Sequence, residues 1–244
     1  MPWMFSKQYI REDRSAEEAT RARVSVIAHE ESYVVFVVRH GESVDNASGD
    51  GYSGITDSSL TERGLRQAED VGRALQKEGI DRIYTSPMKR AVMFARAIQS
   101  KTGMLIIDRR LRELNWRLGT NASVGSNAGP ELYTAYKQDP IKNRPPNSDP
   151  REAAELILSL WSDILRSMSH EDFHRVALVT HNSAKILLCS ILGEALSRYR
   201  ERRIDNASIT KIVIDKFGKA HIEYENKISF VRKDLDARCR SRAQ

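Results

Sequence analysis

The chain predicts an α/β protein, a three-layer α/β/α sandwich with a mostly parallel central sheet and an antiparallel edge strand. Three observations carry that expectation. From Tyr33 onward, short strand-like runs alternate with runs whose apolar residues recur at helical spacing. The first of them, YVVFVV, is continuously apolar, as a strand covered on both faces requires. Towards the other end, SITKIVID and KAHIEYE flank KFGK, the pattern of a hairpin.

Residues 1–32 are polar and charged and read as an N-terminal extension, within which SAEEATRARV can form a short helix. Residues 33–230 form the expected domain, followed by a basic tail at 231–244. After the first strand, LTERGLRQAEDVGRALQKEG reads as a helix with Leu65, Ala68, Val71, Gly72 and Leu75 on its inner face. Thr61 is its expected N-cap and Gly79 its stop. DRIYTS is a short strand, and PMKRAVMFARAIQSKTG a helix with proline in its first turn. MLIID makes a third strand. The stretch 109–150 is loop-rich and holds most of the prolines. A helix over 151–169, the strand RVALVT and the helix SAKILLCSILG complete the series.

Composition narrows the partners. Of 244 residues, 40% are hydrophobic and 30% charged, an ordinary balance for a globular protein. A net charge of +6 mildly favours acidic partners, but no dense basic stripe marks a nucleic-acid binder. No apolar run reaches membrane length and no signal peptide opens the chain, so a cytoplasmic location is expected, with no membrane partner. Two cysteines are too few for a disulfide framework, and Cys189, in KILLCSILG, reads as a small core residue. Asn46, Asn121 and Asn206 each head an Asn-Ala-Ser triplet, which means little without secretion. Oligomeric state stays open.

In such sheets ligands bind outside the carboxyl ends of the strands. Arg39 and His40 end the first strand, Ser86 to Arg90 follow DRIYT, and His181 follows RVALVT. Cationic and hydrogen-donating groups from three distant segments thus reach one rim, which points to an anion. A lone histidine is more often structural, but His40 stands between Arg39 and Gly41 at a strand end. Histidine can act as a nucleophile, and with phosphate as electrophile the product is a phosphohistidine. A hydrogen bond at one ring nitrogen would aim the other at phosphorus. Arg39, Arg90 and His181 would clamp the transferring group, the fork of arginine holding two oxygens at once. Arg90 also has a solvent-facing reading on an amphipathic helix; its place beside a strand mouth favours the site. Glu113, in LRELNW, is placed to protonate a leaving alkoxide, and equally placed to pair with Arg110 or Arg112.

Together these segments resemble the histidine phosphatase superfamily, in its phosphoglycerate-mutase-like branch. RHGESVDN is similar to that family's Arg-His-Gly motif and following asparagine. LTERGLRQA, TSPMKRA, LRELNW, VTHNS and NASIT resemble its later motifs, in the same order from Val35 to Ser208. The resemblance implies His40 as the phosphorylated nucleophile and Glu113 as proton donor. Arg39, Arg90 and His181 become phosphate ligands, with Asn46 a further contact, and no metal or organic cofactor is implied. Asp45, Asp50 and Asp57 do not match a calcium loop and read as turn residues.

The chain also departs from the pattern. Asn182 replaces the glycine common after the second histidine, a change of side chain that leaves its backbone N–H available. Ser59 replaces a proline before Leu60, and PNSDPRE stands where relatives carry glycine-glutamate-serine. Mutases of this family carry tryptophan before the motif asparagine and paired arginines in the inserted loop. Here Asp45 precedes Asn46, and the loop reads KQDPIKNRPP. Net hydrolysis of a small phosphorylated metabolite or a phosphoprotein is therefore the expected activity. Lys137, Lys142 and Arg144, with Asn182, remain candidate specificity residues that keep a mutase as the first alternative. An inactive phosphate-binding or interaction module is the second.

Overall fold

The computed structural model describes residues 32–48, 56–99, 103–114, 117–118, 122–123, 134–135, 138–144, 148–171, 173–229 and 231–232. The N-terminal extension up to residue 31, the tail from 233, Asp50, Asn121, Lys137 and Cys239 lie outside them. The strands are β1 (Tyr33–Arg39), β2 (Arg82–Thr85), β3 (Met104–Ile107), β6 (Arg175–Thr180), β7 (Ile209–Ile214) and β8 (Ala220–Lys227), in one six-stranded sheet of order β3-β2-β6-β1-β7-β8. A separate ribbon pairs β4 (Arg117–Leu118) with β5 (Ala122–Ser123). Among the described residues, the α-helices include α1 (Val44–Ser48), α2 (Glu62–Lys77), α3 (Lys89–Gln99), α4 (Pro150–His170) and α5 (Ala184–Leu192).

Strands β3, β2, β6 and β1 are parallel neighbours, and the C-terminal hairpin adds β7 antiparallel to β1 and β8 antiparallel to β7. The sequence of β1 shows why it sits near the middle. Tyr33, Val35 and Val37 enter one core, with Leu160, Trp161 and Ile164 of α4 and Ile186 of α5. Val34, Phe36 and Val38 enter the other, with Ala68, Val71 and Leu75 of α2 and Phe94 and Ile98 of α3. Side chains alternate across a strand, so an unbroken apolar run serves both faces. Each fully buried side chain of this size contributes about 1.5–3 kcal/mol. Among the described residues no helix is long and apolar enough to cross a membrane.

Helix α2 begins where expected: Thr61 Oγ1 accepts the Gly64 N–H at 3.1 Å. Its inner face is shifted from the expected one. Leu65 is 38% exposed, and Arg63, Gly64 and Gln67 are buried instead. The cause is close approach to the loop after β1, where Gly64 packs on the Glu42 carbonyl. A Cβ at Gly64 would lie 2.1 Å from that oxygen, and one at Gly41 2.7 Å from the Gly64 oxygen. Helix α3 starts at Lys89, after Pro87 rather than around it, because Asp57 Oδ1 accepts the Lys89 N–H and Ser86 Oγ the Met88 N–H. Asp57 is therefore more than a turn residue, and Asp45 lies in the first turn of α1.

Candidate active site

The parallel register places the ends of β2, β6 and β1 side by side: Arg39 is opposite Thr180, and Thr85 opposite Val179. The residues just past those ends meet. The His40 N–H donates to the Thr180 carbonyl at 2.9 Å, and the Ser86 N–H to that of Val179 at 3.1 Å. His40 and His181 are both buried, with ring centroids 5.0 Å apart and planes at 66°.

His40 Nδ1 lies 2.6 Å from the Gly41 carbonyl oxygen, which can only accept. Nδ1 therefore carries the proton and Nε2 the lone pair. Nε2 receives the Arg90 Nε–H at 3.1 Å. Arg90 is buried, and its Nη1 donates to the Thr56 carbonyl at 2.7 Å. Arg39 donates from Nη1 to the Ile204 carbonyl, also at 2.7 Å. His181 places Nε2 2.7 Å from Ser86 Oγ, while its buried Nδ1 has no protein partner.

Both imidazoles are neutral by environment. Burial first, then the charges of Arg39 and Arg90, hold His40 well below the usual histidine range, against a smaller opposing pull from the Gly41 carbonyl. Burial lowers His181 likewise, reinforced by His40, Arg90, Arg39 and Arg112. Arg90 is also lowered by burial, although Glu113, Asp45 and Asp57 favour its charged form.

Glu113 joins this group. Its Oε2 accepts the Asn182 N–H at 2.9 Å and its Oε1 the Leu114 N–H at 3.0 Å. The N–H of Asn182, expected to stay available, is thus engaged by Glu113. Arg110 binds Asp108 and Asp163 rather than Glu113. Asn46 sits on α1, its Oδ1 accepting from the Ser43 N–H at 3.2 Å and from Asn206 Nδ2 at 3.0 Å. Of the candidate specificity residues, Asn182 joins the site through Glu113, whereas Lys142 is exposed and Arg144 pairs with Asp149 at the start of α4. Among the described residues no group of three or more His, Cys, Asp or Glu side chains is arranged to hold a metal ion.

Three residues of the site escape sequence reasoning. Asn206 Nδ2 lies 3.1 Å from the His40 carbonyl oxygen and 3.2 Å from that of Gly41, as well as reaching Asn46. Beside it, Ala207 takes φ 59° and donates its N–H to the Arg39 and His40 carbonyls. Such a conformation is costly for alanine and is held here by the surrounding bonds. Lys185, in the first turn of α5, is pushed down to about 8 by burial first and by Arg39 and Arg200 next, with Glu113 opposing. Its signal in the sequence was a lysine four residues after a strand-end histidine.

The topology is that of a mixed α/β protein with helices on both faces of the sheet, and it brings two buried histidines and two arginines together at one rim. The chain belongs to the histidine phosphatase superfamily (branch 1), whose family model matches residues 35–227. It is 32% identical over 183 residues to a protein of Yersinia enterocolitica named probable phosphoglycerate mutase GpmB, covering 73% of this chain and 83% of that one. It is 26% identical over 190 residues to phosphoserine phosphatase 1 of Hydrogenobacter thermophilus, covering 75% and 87%. Among solved structures, YhfR of Bacillus stearothermophilus superposes with a TM-score of 0.70 at 24% identity, covering 82% of this chain and 99% of that one.

Proposed function

We propose that this protein is a metal-independent phosphatase that hydrolyses small phosphomonoesters through a phosphohistidine on His40. The observation that carries the reading is the tautomer of His40. Its Nδ1–H is committed to Gly41, so Nε2 presents its lone pair beside the Arg90 guanidinium. Nε2 would attack phosphorus in line with the leaving oxygen, and the P–O bond breaks as the P–N bond forms. Glu113 gives its proton to the departing alkoxide. Water then attacks phosphorus, Glu113 takes its proton, and the P–N bond returns its electron pair to Nε2. Arg39, Arg90, His181 and Asn46 hold the phosphoryl oxygens, so fixed cations and donors balance the charge.

Hydrolysis is favoured over a mutase because Asp45 and Asp57 stand within electrostatic reach of Arg90, beside the expected phosphate position. Carboxylates there disfavour a second anionic group on that side. The relatives' names point to phosphoserine and phosphoglycerate as first substrates to try. The test is phosphate release from p-nitrophenyl phosphate in excess EDTA, comparing the wild type with His40→Ala. Release that survives chelation and disappears in the variant is the expected result. Equal release from both proteins would remove His40 as nucleophile. Conversion of 3-phosphoglycerate to its 2-isomer without phosphate release would replace hydrolysis by mutase chemistry.

A further inference from the structure

We infer that Ser86 is a positioning residue that holds His181 with its proton on Nδ1, so that a neutral imidazole donates to the bound phosphate. This deepens the reading above and rests on the phosphate-holding role given there to His181. Proton bookkeeping around Ser86 leads to it. Ser86 Oγ accepts the Met88 N–H at 3.3 Å and lies 2.7 Å from His181 Nε2. A hydroxyl carries one proton, and no other described acceptor receives it, so it is donated to Nε2. Nε2 is then the acceptor, and the ring proton is on Nδ1. Nδ1 is the nitrogen that is buried without a partner, in a ring packed edge-on against His40 5.0 Å away.

The opposite tautomer fails on two counts. It would aim a ring proton at Ser86 and leave the hydroxyl proton without an acceptor. It would also turn the bare Nδ1 lone pair towards phosphate oxygens, which repel it. A charged ring would avoid the choice, but burial and three neighbouring arginines keep His181 neutral. Ser86 is itself held firmly: its N–H is bonded to Val179 at the end of β6, and the following Pro87 restricts it to extended backbone. A neutral donor suits the task, because it stabilises developing charge by hydrogen bonding without making the empty pocket more repulsive to the other cations.

The experiment is 15N NMR of histidine-labelled full chain near neutral pH, with His181 assigned through His181→Gln, before and after addition of inorganic phosphate. In the wild type, Nδ1 should show the protonated shift and Nε2 the unprotonated one, with Nδ1 moving when phosphate binds. Ser86→Ala should give a mixture of tautomers and lose about tenfold to a hundredfold in kcat/KM for p-nitrophenyl phosphate, less than outright removal of a donor costs. Ser86→Thr, which keeps the hydroxyl, should restore both the spectrum and most of the rate. A proton on Nε2 in the wild type, or an unchanged tautomer in Ser86→Ala, would overturn the inference. An inactive wild type that still shows the Nδ1–H tautomer and its phosphate response would sink the hydrolase reading and leave this one standing.

Discussion

His40 and His181 stand at the ends of neighbouring parallel strands, one residue past the register pair of Arg39 and Thr180. Both are buried and both are held below the usual histidine range, but His40 has partners at both ring nitrogens while, among the described residues, His181 has one only at Nε2. They differ also in what those partners are. At His40 a carbonyl oxygen takes the Nδ1 proton and leaves the lone pair on Nε2, beside the Arg90 Nε–H; at His181 a serine hydroxyl lies against Nε2, which in the inferred tautomer leaves the proton on Nδ1. In the proposed mechanism one strand end would offer a nucleophile and the next a donor. For an imidazole, the partner on the far nitrogen sets the chemistry of the near one.

That contrast can be broken most sharply by substitution. His40→Ala should remove phosphate release by at least about a thousandfold, as loss of a nucleophile does. His181→Ala should cost less, about 10²–10³-fold, the scale of one lost oxyanion donor. Acid-quenched phosphoenzyme trapping separates them: His181→Ala should still accumulate label on His40, and a labelled His40→Ala would invert the assignment. Next comes Gly64→Ala, which acts on only one of the two histidines. Its Cβ would press on the Glu42 carbonyl, so overpacking should cost about 1–3 kcal/mol in urea unfolding and disturb the His40 loop. Phosphate-dependent shifts of His181 should survive in that variant while those of His40 change.

pH provides a subtler test. Both histidines have folded values below their unfolded value of 6.5, so the unfolded chain binds more protons between the two. Stability should therefore fall as pH drops through 6.5 towards the folded values, and urea midpoints should show it. Replacing either histidine with glutamine should flatten the slope. The smallest effect is expected from Lys185, lowered from 10.5 to about 8. The unfolded chain holds the extra proton between those values, so stability should rise as pH increases from 8 to 10.5, and Lys185→Met should abolish that rise.

Legibility followed the range of the interaction. Strand β1 was readable because an unbroken apolar run fits only a strand with two cores, and the start of α2 because Thr61 caps it from an adjacent turn. The convergence of Arg39, His40, Arg90 and His181 was readable because Arg39 ends β1, His40 and His181 directly follow β1 and β6, and Arg90 lies in the first turn of the helix after β2. Leu65 misled, since helical spacing marks a stripe without saying which edge of it meets the loop at Gly41. Glu113 could not be resolved locally, because its partner is the backbone of Asn182, far along the chain. Asn206 looked like an idle triplet, yet it ties His40, Gly41 and Asn46 together across the sheet.

The sequence by itself determined the alternation of strands and helices, the two-faced burial of β1, and the delivery of cationic groups to strand ends. These follow from periodicity and from residues adjacent in the chain. Only the tertiary structure decided which nitrogen of each histidine is occupied, how Glu113 is held, and why Ala207 tolerates a left-handed backbone. Those depend on hydrogen bonds of about 3 Å between segments that meet only once β2, β6 and β1 are in register. A hydrogen bond discriminates over tenths of an ångström, a precision that residue type and spacing do not carry.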